Sequence, residues 1–272
     1  MAKSFSGMQR VMTYRLLSLL DGKISPIQMQ TLKRMIEDGQ PSLSFALNYK
    51  KQRLALQERD QCQTLRDYMA FTTRWLGVGS VQIPEEIGGA LDYIDTEKPL
   101  RVCEIGTEDG GTTFLLSNIL TSAELIIGVD LYIQNRPQLT KLHRHGQRLV
   151  LMNGSSYALQ TVRRVEKTLN GASLDVLFID GDHDYEGVKK DFLMYKHLVC
   201  ERGFILFHDI VQDYAARYGK ATPAYSGGVP AIWSELKQIY PSREFVQNPE
   251  QNGMGIGVIR YSSSIELPAW FS

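Results

Sequence analysis

Three ionisable side chains, Asp180, Asp182 and His183, stand in the stretch LDVLFIDGDHDYEGVKKDFLMY, residues 174–195, where an apolar run gives way to helical spacing. An imidazole beside carboxylates is a combination that can accept and return a proton. A second acid/imidazole pair, His208-Asp209, follows another apolar run, Phe204-Ile205-Leu206-Phe207. Two consecutive strands that end in such pairs read as one site, because ligands of open α/β sheets bind beyond the carboxyl ends of the strands. Asp182 or Asp184 can equally serve as the N-cap of the helix that follows. His143 and His145, in KLHRHG, read as loop residues, and His197 follows helical spacing and reads as structural.

The elements that must hold these residues follow from the apolar pattern. Val176 to Ile179 is short and branched, as a strand buried on both faces is, and Val188, Phe192 and Tyr195 then fall on one helical face. Upstream, strands are predicted at 100–105, 125–129 and 149–152, with helices at 110–120 and 156–169. Downstream, a helix is predicted at 229–239, and Phe245-Val246 and Gly255 to Ile259 read as an antiparallel hairpin. Strands alternating with helices predict an α/β fold: a mostly parallel, Rossmann-like sheet with helices on both faces. Residues 1–95 read as a helical region that packs on this domain or on another subunit, with Met8, Val11, Met12, Leu16, Leu19 and Leu20 at helical spacing. Residues 96–272 read as the ligand-binding domain. Gly77 to Ser80 reads as a hinge, and Pro84 as the start of a helix over 85–94.

The first strand-to-helix junction is VCEIGTEDGGTTFLL. Gly106, Gly110 and Gly111 let backbone approach a ligand, and the next helix directs free N–H groups at it. Thr107-Glu108 occupy the position where a dinucleotide fingerprint has its second close glycine. Glu104, Glu108 and Asp109 would repel a pyrophosphate and suit an ammonium or sulfonium. The second strand ends at Asp130, 24 residues after Gly106 (130 − 106), where an acid can accept hydrogen bonds from a ribose. The third ends Asn153-Gly154-Ser155-Ser156, small and polar, with Ser155 suited to the edge of an adenine ring.

Composition excludes several classes. Thirty basic and thirty acidic side chains cancel, which argues against nucleic acid or an anionic membrane as the partner. Residues 1–60 are mildly basic, which a solvated helical surface explains. Three widely spaced cysteines without CxxC pairing fit a reducing compartment. The start lacks an apolar signal core and no run is long enough to span a membrane, so a cytoplasmic protein is expected. The apolar stripes of the helical region predict a homo-oligomer.

EIGTEDGGTT, GVD, FIDGDHDYEGVKKD and FILFHDI, in this order, resemble the class I S-adenosylmethionine-dependent methyltransferases. More closely, they resemble the macrolide-sugar O-methyltransferase and cephalosporin-hydroxylase-like group, over about residues 97–260. The resemblance implies that Glu104, Gly106 and Gly110, with Thr107 in the same loop, line the methionine part of S-adenosylmethionine. It implies that Asp130 holds the ribose. It also implies a divalent metal, magnesium or manganese, on Asp180, His208 and Asp209, with His183 as general base. His208 stands where the sugar-modifying members carry a carboxylate. It suits manganese, iron or zinc better than magnesium, or acts as a second acid/base.

The chemistry implied is methyl transfer to a hydroxyl of a small metabolite, a sugar or secondary metabolite, aligned in line with the sulfonium. The long loop 210–228 reads as a lid or acceptor pocket. Two other readings stay open on sequence alone: a non-catalytic scaffold that keeps the fold, and a nicotinamide-dependent oxidoreductase, which the acidic glycine loop disfavours.

Overall fold

A computed structural model describes residues 44–77 and 81–271. Two helices, α1 (Tyr49–Arg59) and α2 (Leu65–Trp75), come first, and α3 (Pro84–Asp95) leads into the alternating part. There β1 (Arg101–Ile105), α4 (Gly111–Ile119), β2 (Leu125–Asp130), α5 (Arg136–Leu142), β3 (Arg148–Asn153) and α6 (Leu159–Leu169) follow one another. β4 (Leu174–Ile179), α7 (Tyr185–Tyr195), β5 (Val199–His208), the short α8 (Tyr214–Tyr218), α9 (Val229–Ile239) and the hairpin β6 (Ser242–Phe245) and β7 (Ile256–Arg260) complete the chain. The strands form one sheet in the order β3-β2-β1-β4-β5-β7-β6. The first five are parallel, and β7 runs antiparallel to both β5 and β6, as the sequence predicts.

Successive strand residues face opposite sides, so each strand feeds two cores. Cys103, Ile105, Ile127, Val129, Leu177, Ile179, Ile205 and Phe207 pack with the apolar faces of α6, α7 and α9. Val102, Ile126, Val176, Phe178, Phe204 and Leu206 pack on the other side with Phe71, Ile87, Leu91 and Phe114. The described part of the N-terminal region therefore shares the sheet's core: Phe71 of α2 stacks on Phe114 of α4 with centroids 5.0 Å apart. Burial on this scale contributes roughly 1.5–3 kcal/mol per large apolar side chain.

Two boundaries differ from the sequence prediction. α6 begins at Leu159 and not at 156, because Ser155 to Ala158 form a turn closed by the Ala158 N–H on the Ser155 carbonyl. α5 was not anticipated, although Pro137 in its first turn is a start signal. Of the expected hinge, residues 78–80 lie outside the described residues, as do the apolar stripes of residues 1–43. Cys62, Cys103 and Cys200 are all free thiols. Among the described residues, no helix is long and apolar enough to cross a membrane.

Candidate functional site

The sheet reverses its strand order between β1 and β4, and there a cleft of about 640 Å³ opens at the carboxyl ends of the strands. Gly106, Thr107, Gly110, Asp130, Asp180, His183, His208 and Asp209 all line it. Two predicted residues lie elsewhere. Glu104 is fully buried beneath the glycine loop, where it accepts hydrogen bonds from the hydroxyls of Thr107 (3.2 Å) and Thr113. Burial pushes its carboxyl up to about 8, with Asp180 and Asp130 adding repulsion and the two threonines opposing. Ser155 is outside the cleft walls, its hydroxyl accepting the Tyr157 N–H at 3.2 Å. Asp182 also faces away, bound to the Tyr157 hydroxyl at 2.6 Å and to the Asp184 N–H at 2.9 Å.

The glycine loop is shaped first by its own chain. Gly106 has φ +95°, and a Cβ there would stand 1.9 Å from the Asp180 carbonyl oxygen. Only glycine lets the β1 and β4 ends meet so closely. Asp130 ties the same loop to β2: one carboxylate oxygen accepts the Glu108 N–H at 2.8 Å and the other the Tyr132 N–H at 2.7 Å. The acid at the end of β2 thus builds part of the cleft floor.

At the other end of the cleft two imidazoles and two carboxylates meet. His208, 4% exposed, holds Nδ1 3.1 Å from both Asp180 Oδ1 and Asp209 Oδ2. Burial alone would lower its pKa, but the two carboxylates outweigh it and raise the value well above the ordinary one. His208 Nδ1 therefore bridges the two acids, and its buried Nε2 is unpartnered. For Asp209, burial pulls upward, yet His208, His183 and the Met254 N–H hold the carboxyl below its usual range.

His183 is placed differently. Its Nδ1 donates to the main-chain carbonyl of Tyr225, which can only accept, so the proton of the neutral ring belongs on Nδ1. Nε2 is left as the basic nitrogen, 3.5 Å from Asp209 Oδ2. The donor set suits a divalent cation. Asp180, His183 and Asp209 each offer a ligand atom, and these atoms lie within 4.8 Å of one another. This trio includes His183, whereas the sequence reading had grouped His208 with the two acids. Nδ1 of His208 is already engaged between the carboxylates, which makes it a support for them. Nε2 of His183 can serve as a ligand or as a base but not as both, and with Nε2 left as the base the cation donors are the carboxylates of Asp180 and Asp209.

Several cleft residues carry no sequence signal of their own. Gln82, from the segment before α3, donates to Asp180 Oδ2 at 3.2 Å and to Thr112 at 3.4 Å. Tyr225 stacks on His183, and Met254 reaches the cleft from the loop between β6 and β7. Among the described residues, His143 and His197 serve elsewhere, on the Gln147 carbonyl and on Glu166.

Residues 103–210 match the family model described as a methyltransferase domain. Uncharacterized protein R132 of Acanthamoeba polyphaga mimivirus is 35% identical over 121 residues, 42% of this chain and 53% of that protein. The chain thus spans about half the length of this relative. An O-methyltransferase from Bacillus cereus, solved with S-adenosylhomocysteine, superposes with a TM-score of 0.51 at 13% identity, over 82% of this chain and 96% of that one. The O-methyltransferase TomG from Streptomyces achromogenes, involved in tomaymycin synthesis and solved with S-adenosylmethionine, gives 0.51 at 15% identity, over 81% and 95%. Residues 103–210 are thus similar to a methyltransferase domain, and the chain shares the fold of these O-methyltransferases.

Proposed function

We propose that the chain is an O-methyltransferase that moves the methyl group of S-adenosylmethionine to a hydroxyl of a small metabolite, with His183 as the base. The observation that carries this reading is the hydrogen bond between His183 Nδ1 and the Tyr225 carbonyl. Its Nδ1 proton is committed to the Tyr225 carbonyl, so Nε2 is the nitrogen able to take a hydroxyl proton in the cleft. When bound, S-adenosylmethionine supplies a methyl group activated by the sulfonium. Gly106, Thr107, Gly110 and Asp130 are the residues that would hold it, in a cleft rich in carboxylates that suits its positive charge. A divalent cation on Asp180 and Asp209 would lower the pKa of the acceptor hydroxyl.

The remaining work falls to the chain itself. Asp209 faces His183 and stabilises the imidazolium that forms as the proton arrives. The His208 ring, through Nδ1, holds Asp180 and Asp209 close together. A sugar or another hydroxylated secondary metabolite is the acceptor class.

The test is calorimetric titration of S-adenosylmethionine with and without manganese or magnesium, followed by transfer of labelled methyl to a panel of sugars and phenols. Micromolar cofactor binding and transfer that falls on the order of 10²–10⁴-fold in His183→Ala are expected. Full transfer by His183→Ala would remove the base assignment. Absence of cofactor binding under every metal condition would leave a scaffold that only keeps the fold.

A further inference from the structure

The segment 211–228 leaves the end of β5 and returns to α9, and its two ends are tied together inside the protein. Asp213, 2% exposed, accepts the Ser226 N–H at 2.8 Å, the Ser226 hydroxyl at 3.3 Å and the Ala216 N–H at 2.8 Å. Its own N–H donates to Ser226 Oγ at 2.9 Å, and Ser226 is fully buried. These bonds to the carboxylate favour its charged form, with the N–H groups of Ala216 and Ser226 contributing most. The loop is therefore closed at its base by a charge-assisted latch.

The residues on either side of Ser226 grip His183. The Tyr225 carbonyl accepts its Nδ1–H, and the Gly228 N–H donates to its main-chain carbonyl at 2.7 Å. Gly227 has φ +54°, and a Cβ there would stand 2.2 Å from the His183 carbonyl oxygen, so no side chain fits between the two segments. The Tyr225 ring lies 6° from parallel to the imidazole with centroids 5.9 Å apart. His183 itself sits in the loop between β4 and α7, partly open to solvent. Its ring is oriented by contacts from 42 residues away in the chain.

We propose that Asp213 is a positioning residue for this base. By fixing Ser226 it holds the Tyr225 carbonyl against Nδ1 of His183, and so keeps the ring proton on Nδ1 and the lone pair of Nε2 in the cleft. The hydrogen bond at one ring nitrogen decides which nitrogen carries the proton, so a carbonyl held in place is a tautomer lock. Asp213 touches neither cleft nor imidazole in this role and acts wholly through the main chain of 225 and 226. The inference rests on the reading of His183 as the base.

The test is the ¹⁵N spectrum of the histidine rings in the full chain saturated with S-adenosylhomocysteine, in metal-free buffer, with His183→Gln giving the assignment. In the wild type the neutral His183 ring is expected to carry its proton on Nδ1. In Asp213→Ala the population moves to the Nε2–H form without loss of S-adenosylhomocysteine binding. Asp213→Asn keeps an oxygen for the Ser226 N–H and is expected to keep the wild-type tautomer. Should Asp213→Ala not fold, Ser226→Ala removes only the hydroxyl and is expected to shift the population in the same direction. A wild-type tautomer in both Asp213→Ala and Ser226→Ala, or an Nε2–H ring in the wild type, overturns the proposal. Methyl transfer by His183→Ala addresses the base reading separately, so the tautomer result and that reading fail independently.

Discussion

Among single residues, the most informative are those whose environment and chemical type disagree. Asp191 of α7 is fully buried, and burial pushes its carboxyl up to about 7, with Asp182 adding repulsion and Ser156 and Lys190 pulling the other way. The folded protein thus binds a proton that the unfolded chain, near 3.8, has already released. Stability from this group is fully present below pH 4 and is lost as pH rises to about 7. Asp191→Asn removes that dependence. In urea melts the variant is expected to gain about 3 kcal/mol on the wild type between pH 4 and pH 8, and a constant gap across that range would contradict the burial argument. Asp130 is the opposite case, a partly exposed carboxylate that accepts a loop N–H on each oxygen. Asp130→Asn leaves one of its two loop N–H groups without an acceptor and should weaken S-adenosylhomocysteine about tenfold by calorimetry. Asp130 was legible in the sequence because it ends a strand a fixed distance after a glycine loop. Glu104 was legible as an acid at a strand end but not as a buried one. Only the folding of α4 over β1 brings the Thr113 hydroxyl onto it.

At the scale of elements, the loop between β6 and β7 at the cleft is tied down by a helix from the start of the described chain. Glu86 of α3, 1% exposed, accepts the Gln247 N–H at 2.9 Å, the Gln251 amide at 2.7 Å and the Gly255 N–H at 2.8 Å. It therefore fixes the loop between β6 and β7, whose Met254 N–H donates to Asp209 at 2.8 Å. A helix that precedes β1 in sequence thus supports the position of an acid in the cleft. Glu86→Ala leaves the Gly255 N–H buried without its acceptor and is expected to cost about 3 kcal/mol, with Glu86→Gln recovering part of it. Equal urea midpoints for Glu86→Ala and the wild type would show that the loop is held by other contacts. Elements of this kind escape a sequence reading because the partners are 161 to 169 residues apart and carry no shared pattern. The segment 210–228 shows the same limit. Its length predicts a lid, but the Asp213–Ser226 latch that closes it depends on two ordinary polar residues 13 apart.

For the whole molecule, the alternation of strand and helix was enough to give the sheet, its parallel strands and the antiparallel hairpin, since each rests on local periodicity and turn chemistry. The packing of α1 to α3 on the sheet was not, because helical stripes say that a face is buried and not against what. Near the start of the described residues, Leu47 is 80% exposed, Tyr49 73% and Leu54 46%. They stand next in sequence to residues 1–43, whose apolar residues recur at helical spacing, and an apolar patch is expected there. Exposed apolar side chains cost little singly, but gathered as a patch they favour association. The expected arrangement is a homo-oligomer in which this patch and the preceding stripes cover one another between copies. Light scattering of the full chain should then give a multiple of 30.8 kDa. Leu47→Asp combined with Leu54→Asp should move the mass to that of one chain while S-adenosylhomocysteine still binds, because neither residue lines the cleft. A wild type that stays monomeric as its concentration is raised to about a hundred micromolar, weaker than any stable interface of standard size, would assign the patch to covering within a single chain.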